Sequence, residues 1–325
     1  MGVRDRPGWE HRGAPSLVVN QGVDGMAMSR VTVLDGGLAT ELERQGHDLS
    51  DRLWSARLLL ADPDAIEAAH LAYFRAGARV ATTASYQASV EGFEAAGLDR
   101  LAALRLMALS VELADRARAR YRAESGDDGP LRVAGSVGPY GAMLADGSEY
   151  RGDYDLGTAV LAEFHRPRIH ALAAAGADII AFETIPTMRE AEVLVDLLDE
   201  VETPAWLSYS CRDAGHTAAG EPIEEAVAVA AHPRLVAVGV NCTAPRHLPA
   251  LLAAARTATD LPLIAYPNGG ERWDAGTRTW LAEDGGGYDP AAVASWTGLG
   301  ATWLGGCCGT GPSEIAALAT LLRAP

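Results

Sequence analysis

The sequence predicts a single-domain α/β fold, a closed (β/α)8 barrel of the TIM type. Three observations predict it. Eight short apolar runs, rich in Val, Ile, Leu and Ala, alternate with longer amphipathic stretches. The runs are mostly continuous, not alternating in polarity, as strands buried on both faces of a parallel sheet are. The stretches between them begin and end on recurrent helix signals. An open doubly wound sheet is the runner-up, but no Gly-x-Gly-x-x-Gly follows the first run.

In chain order the predicted strands are 31–34, 78–85, 131–137, 178–182, 205–209, 235–240, 263–266 and 301–304. Asp62-Pro63, Glu221-Pro222, Asp289-Pro290 and Gly311-Pro312 put Pro at or near a first helical position, where its missing N–H costs nothing. Gly77, Gly176 and Gly300 each follow a helical stretch and precede an Ala and a strand. They read as C′ glycines in the left-handed conformation. Two long loops, 140–155 and 269–288, interrupt the pattern and read as lids or binding loops. His165 and His170 share one helical stretch and are read as facing solvent.

Composition narrows the function. A chain of 325 residues, 48% hydrophobic, is long enough to bury a barrel core without staples. A net charge of −16 argues against nucleic-acid binding, which needs clustered Lys and Arg; the acidity reads as solubility. No Lys occurs, so all 27 basic residues are Arg. Schiff-base catalysis and a P-loop Lys are therefore excluded. No apolar run is long enough to span a bilayer. Residues 1–30 are polar and Gly-containing without a hydrophobic signal segment. They read as a disordered or tag-like arm ahead of a barrel domain at 31–325, with Met26 or Met28 as alternative starts. The expected compartment is the cytoplasm, where thiols stay reduced.

In such barrels the active site lies at the C-terminal strand ends. Polar and metal-capable residues cluster there: Asp35-Gly36-Gly37, Ser85-Tyr86-Gln87, 136–140, Glu183-Thr184, Cys211, Asn241-Cys242-Thr243, Tyr266-Pro267-Asn268 and 305–309. Cys242 ends the sixth strand, and Cys307 and Cys308 end the eighth, so their thiols can face one mouth. Three thiolates with one position open match a catalytic zinc site. Adjacent ligands are unusual, because consecutive strand residues point to opposite faces, but Gly305, Gly306 and Gly309 allow the backbone to turn. A redox switch and a Cys307–Cys308 disulfide are the alternatives. Cys211 reads as a small buried apolar residue. Zinc on three thiolates suits the deprotonation of a fourth thiol better than the activation of water.

These segments together resemble the homocysteine S-methyltransferase family. The likeness rests on Asp35-Gly36-Gly37 with 39–42, on 83–88, 135–140 and 144–150, on 182–186, 239–243 and Tyr266-Pro267-Asn268, and on Gly305-Gly306-Cys307-Cys308-Gly309. It spans most of the chain from Val31 to Leu322. The resemblance implies a (β/α)8 barrel, Zn2+ on Cys242, Cys307 and Cys308, and methyl transfer from S-methylmethionine, with S-adenosylmethionine as a second donor, to the thiol of L-homocysteine. Methionine is the product. It implies Glu183 on the substrate ammonium, and Tyr86 as the aromatic that faces the sulfonium. Tyr140, Tyr266 and Trp273 are further aromatic candidates. Asp35 is expected either to bind the same ammonium or to fix the Gly36-Gly37 turn, and Asn241 to contact substrate or orient the metal loop. The remaining readings are the same chemistry on another thiol or a selenol such as selenocysteine, and a non-catalytic metal- or redox-responsive barrel. No nucleic-acid or membrane partner is expected.

Overall fold

The computed structural model describes residues 31–49, 55–274, 279–282 and 288–323; the arm at 1–30 lies outside the described residues. Ten strands occur among them: β1 Thr32–Val33, β2 Val80–Thr82, β3 Arg132–Val137, β4 Ile179–Ile185, β5 Ala205–Tyr209, β6 Leu235–Asn241, β7 Leu263–Tyr266, β8 Glu271–Asp274, β9 Thr279–Ala282 and β10 Ala301–Leu304. Eight of them form one parallel sheet in the order β1-β10-β7-β6-β5-β4-β3-β2, with helices between successive strands. Each of the eight predicted runs contributes a strand to it.

The sheet closes on itself at the seam between β1 and β2. Arg79 N donates to Val33 O at 2.7 Å. Beyond that point a side chain takes over the pairing. Thr82 N donates to Asp35 Oδ2 at 2.6 Å, and Thr82 Oγ1 to Asp35 Oδ1 at 2.9 Å. The carboxylate satisfies a buried backbone N–H that the short strand β1 leaves without a ladder partner.

The predicted helix ends hold, with one shift. Asp62 and Asp289 cap the helices Pro63–Ala76 and Pro290–Gly298. Pro222 is itself the N-cap of the helix Ile223–Ala228, next to its first position. Gly77, Gly176 and Gly300 have φ of 107°, 90° and 93°, the left-handed values that reverse the chain into the next strand.

The floor of the barrel is aromatic. Trp206 of β5 and Trp303 of β10 are each 1% exposed, and their rings meet edge to face at 5.7 Å. Strands that are not neighbours can bring rings this close only through the interior. Burying one such ring contributes up to about 4–6 kcal/mol, and it closes the space below the strand ends. No helix among the described residues is long and apolar enough to cross a membrane.

Neither predicted lid is a plain loop. The segment 140–155 holds a helix, Tyr140–Leu144, and a 3-10 turn, Ser148–Tyr150. It is pinned to the barrel: Ser210 Oγ donates to Glu149 O at 3.0 Å, and Tyr140 N to Glu190 Oε1 at 2.7 Å. In 269–288 the backbone forms an antiparallel hairpin of β8 and β9. The side chain of Trp273 lies outside the described residues.

Candidate active site

A cavity opens at the C-terminal rim of the barrel. Its wall is assembled from most strand ends in turn: Gly36 and Gly37 after β1, Thr82, Thr83 and Tyr86 at and after β2, Ser136 in β3, Glu183 and Thr184 in β4. Cys242 follows β6, Tyr266 ends β7, and Cys307 and Cys308 follow β10, while Tyr150 comes from the segment after β3. Among the described residues no Arg lines it.

The three sulfurs of Cys242, Cys307 and Cys308 lie within 4.8 Å of one another, a metal-capable group of the described residues. Cys308 Sγ is 3.8 Å from Cys242 Sγ and 3.8 Å from Cys307 Sγ. Cys242 and Cys307 are joined as a disulfide, with Cα atoms 5.4 Å apart, where free thiols were expected. That separation lies in the ordinary range for a disulfide, so one arrangement of the backbone serves either state. The adjacent pair Cys307–Cys308 is not bonded. Cys211 stands apart from the cluster, its backbone N–H held by Thr243 Oγ1 at 3.0 Å.

The loop that carries Cys307 and Cys308 is gripped on all sides by backbone. Cys307 N donates to Pro267 O at 2.6 Å, Gly269 N to Cys308 O at 2.7 Å, Gly37 N to Thr310 O at 2.9 Å and Gly306 N to Asp35 O at 3.2 Å. A Cβ on Gly37 would come within 2.7 Å of Cys307 O, so only glycine lets the first and last strand ends approach this closely. Gly309, at φ 79°, reverses the chain after the cysteines.

Two non-glycine residues of the rim adopt the left-handed conformation, Thr184 at φ 61° and Cys242 at φ 49°. Such backbone is strained for a β-branched residue and persists only where neighbours hold it. Asn241 holds Thr184: its Oδ1 accepts from Thr184 N at 2.7 Å, and its Nδ2 donates to Thr184 Oγ1 at 2.8 Å. Asn241 is fully buried and absent from the cavity wall. Its amide holds Thr184 beside Glu183, as the orienting role among the two expected from sequence would have it.

Asp35 is likewise held by its neighbours. It is 1% exposed and off the cavity wall. Thr82 occupies both carboxylate oxygens, and Tyr266 OH donates to Oδ1 at 2.9 Å. Asp35 therefore fixes the seam and the Tyr266 ring. Burial pushes its carboxyl up to about 6, against these hydrogen bonds.

Glu183 does line the cavity, 7% exposed, with Ser136 Oγ donating to Oε1. Burial pushes its carboxyl up to about 7; the Ser136 hydrogen bond lowers it and the Asp35 charge raises it. Burial likewise pushes the Cys308 thiol up to about 12. Left to itself that thiol is a poor nucleophile, and only a nearby cation makes its thiolate favourable.

Behind the wall, His165, fully buried where solvent was expected, holds Glu190 Oε1 at 2.7 Å. Tyr154 OH donates to Glu190 Oε2. Arg168, 1% exposed, donates to Gly138 O at 2.8 Å and Tyr86 O at 2.7 Å. This buried group sets Tyr86 and the 140–155 segment, and neither His165 nor Arg168 is signalled by residue spacing. Tyr140 packs at 5.0 Å on Phe164, outside the cavity. Tyr150, not singled out from sequence, is at the centre: its OH lies 3.7 Å from Cys242 Sγ.

Comparison with known proteins agrees with this architecture. A sequence model described as homocysteine S-methyltransferase matches residues 32–322. The chain is 48% identical over 294 residues to the homocysteine S-methyltransferase of Escherichia coli (strain K12), covering 89% of this chain and 94% of that one. It is 46% identical over 301 residues to a selenocysteine Se-methyltransferase of Brassica oleracea var. italica, covering 88% and 87%. Crystal structures of the homocysteine methyltransferase MmuM from Escherichia coli, in a metallated and an oxidized form, superpose with TM-scores of 0.81 each at 46% identity. Each covers 89% of this chain, and 96% and 95% of the respective MmuM chains.

Proposed function

The chain belongs to the homocysteine S-methyltransferase family, and from that premise we propose the specific reaction its rim performs. A sulfonium donor, S-methylmethionine or S-adenosylmethionine, gives a methyl group to the thiol of L-homocysteine, and two thioethers result, one of them the newly formed methionine, with the thiol proton released to solvent. The observation that carries the reading is the convergence of three cysteine sulfurs on a cavity that Glu183 also lines.

The donor set fits zinc. A tetrahedral ion with Zn–S bonds of about 2.3 Å puts its sulfurs about 3.8 Å apart. That is the separation of Cys308 Sγ from both partners. Cys242 and Cys307 can ligate only as thiolates, so their disulfide must first be reduced, as a reducing compartment such as the cytoplasm would ensure. Zinc bound there would supply the positive charge that keeps a fourth thiol ionised near neutral pH.

The remaining work falls to the chain's own residues. Glu183, once ionised, takes the ammonium of homocysteine and fixes the amino acid relative to the cysteines. Ser136 Oγ donates to that carboxylate, and Asn241 holds the adjoining Thr184. Tyr86 and Tyr150 offer ring faces to the sulfonium. Attack is in line: the homocysteine sulfur bonds the methyl carbon while the carbon–sulfur bond of the donor breaks, its electron pair staying on the departing thioether. No proton moves at carbon, so no general base is required, and alignment of the two substrates supplies much of the rate.

A selenol acceptor would react in the same site by the same displacement, and the Brassica relative favours testing it. The test is methionine formation by the reduced, zinc-loaded chain from homocysteine with each donor, before and after chelation. Chelator-sensitive turnover that zinc restores supports the reading. Undiminished turnover without metal, or a preference for selenocysteine over homocysteine in competition, overturns the metal or the acceptor.

A further inference from the structure

The hydroxyl of Tyr150 meets a sulfur. Its oxygen lies 3.7 Å from Cys242 Sγ, hydrogen-bond reach for an acceptor as large as sulfur. Among the described residues it makes no hydrogen bond to oxygen or nitrogen, and Cys308 approaches the same hydroxyl. Chemistry fixes the direction of the bond. A phenol keeps its proton near neutral pH, and Cys242 Sγ has none to give, either in the disulfide or as a metal-binding thiolate. Tyr150 therefore donates, and more strongly once its acceptor is a thiolate. Both partners line the cavity and are held from behind. Tyr150 N donates to Gly147 O at 3.0 Å, in a turn that Ser210 Oγ pins through Glu149 O at 3.0 Å. Cys242, in left-handed backbone at φ 49°, has its N–H on Tyr266 O at 3.0 Å.

A cysteine that holds a metal as a thiolate is itself a sulfur nucleophile, and here it shares a cavity with a methyl donor. Two attacks then compete. When the homocysteine sulfur takes the methyl group, the product leaves. When the Cys242 sulfur takes it, a bond forms between that sulfur and the methyl carbon. The carbon–sulfur bond of the donor breaks with its electron pair on the departing thioether. The chain is left with a neutral thioether where it had a charged ligand, and one such event ends its activity. Cys242 is the ligand most at risk, because it abuts Tyr150, one of the two rings that offer a face to the sulfonium.

Given the sulfonium donor and the three-thiolate site proposed above, we infer that the Tyr150 hydroxyl shields Cys242 from methylation by the donor and so directs the methyl group to the homocysteine sulfur. The hydrogen bond draws on the lone pair that would attack carbon, which lowers the nucleophilicity of that sulfur. It is made to the ligand, so it slows the wrong attack. Tyr150 thus determines which sulfur is methylated, acting through Cys242, a role its ring alone does not fill.

Tyr150→Phe separates hydroxyl from ring in the full, reduced, zinc-loaded chain. Protein is incubated with S-methylmethionine and no homocysteine. Peptide mass spectrometry follows added methyl on each cysteine, and zinc content is measured alongside. In Tyr150→Phe, Cys242 is expected to be methylated about tenfold or more faster than in wild type, the effect of one hydrogen bond to a charged group, with zinc lost in step. Labelling of Cys242 at the wild-type rate overturns the assignment, as does earlier labelling of Cys307 or Cys308. Zinc lost before donor is added marks a merely structural role and also overturns it. Should the variant not fold, wild type decides alone. Rapid methylation of its Cys242 by donor overturns the inference; an unmodified Cys242, over a span that gives many turnovers with homocysteine, upholds it. A parallel arm with homocysteine keeps the premise separate: wild type that forms no methionine there overturns the proposed function, and this inference with it.

Discussion

The state of Glu183 sets a pH dependence that can be worked from the structure. Burial places its carboxyl at about 7, against an ordinary value of 4.5. The difference corresponds to roughly 3 kcal/mol of disfavoured ionisation, to order of magnitude, for a group that is 7% exposed. The folded-state value is the raised one. Stability is therefore unaffected below about pH 4.5, falls as pH rises from there to about 7, and stays at its lower level above. Ligand binding has the opposite sign. Only the ionised carboxylate holds an ammonium, and about a tenth of free enzyme is ionised at pH 6 against about nine-tenths at pH 8. kcat/KM for homocysteine should therefore drop about tenfold from pH 8 to pH 6. The limb in kcat should lie at lower pH, because a bound ammonium favours ionisation. Glu183→Gln is expected to abolish that limb and to lower kcat/KM at pH 8 by about 30-fold or more, the loss of one buried charge pair. The assay is initial-rate methionine formation across pH 5.5–8.5, about the range over which Glu183 titrates. A thiol titration would leave the same limb in the Gln variant. Persistence of a limb at the same pH, or kcat/KM within about threefold of wild type, refutes the role of Glu183.

Three further outcomes are expected. Asp35→Asn turns an amide donor toward Thr82 N, Thr82 Oγ1 or Tyr266 OH and should destabilise the barrel by about 2–4 kcal/mol in urea titrations; a loss under about 0.5 kcal/mol would show that the seam does not need the carboxylate. Asn241→Ala leaves Thr184 N without its acceptor and should cost about 1–3 kcal/mol. It should raise the KM of homocysteine more than that of the donor, since the backbone it releases carries Glu183; equal changes in both would place its effect elsewhere. Cys308→Ala should lose both zinc, measured by mass spectrometry of the metal, and turnover, while Cys211→Ala keeps both. A Cys308 variant with one zinc per chain and full activity would remove Cys308 from the site.

Much of this was legible from sequence, for identifiable reasons. The eight barrel strands declare themselves because strands covered on both faces are continuous apolar runs, and their helices end on Gly and begin on Pro. The three cysteines were legible because few structural roles put thiols and glycines together at two strand ends. The failures are equally specific. Asp35 at a strand end reads equally as a ligand or as a residue that fixes the turn, and nothing in its neighbours says that β1 is too short to close the seam without it. Asn241 was ambiguous because left-handed backbone is usually announced by Gly, and here Thr184 and Cys242 adopt it. His165 was misread because its helix carries apolar and polar residues around most of its circumference, with Pro167 inside. Only tertiary contact shows that the face with His165 and Arg168 is turned inward.

The charges of the rim also explain how one cavity can serve two substrates and still release product. Glu183 is held back from ionising by burial, and among the described residues no Arg lines the cavity beside it. It therefore gains most from a ligand that brings its own positive charge. Homocysteine brings an ammonium, which methyl transfer leaves intact. The donor brings a sulfonium, which methyl transfer destroys. After the reaction the site holds two neutral thioethers where it held a cation and a thiolate, so the attraction on the donor side has vanished while Glu183 keeps its ammonium.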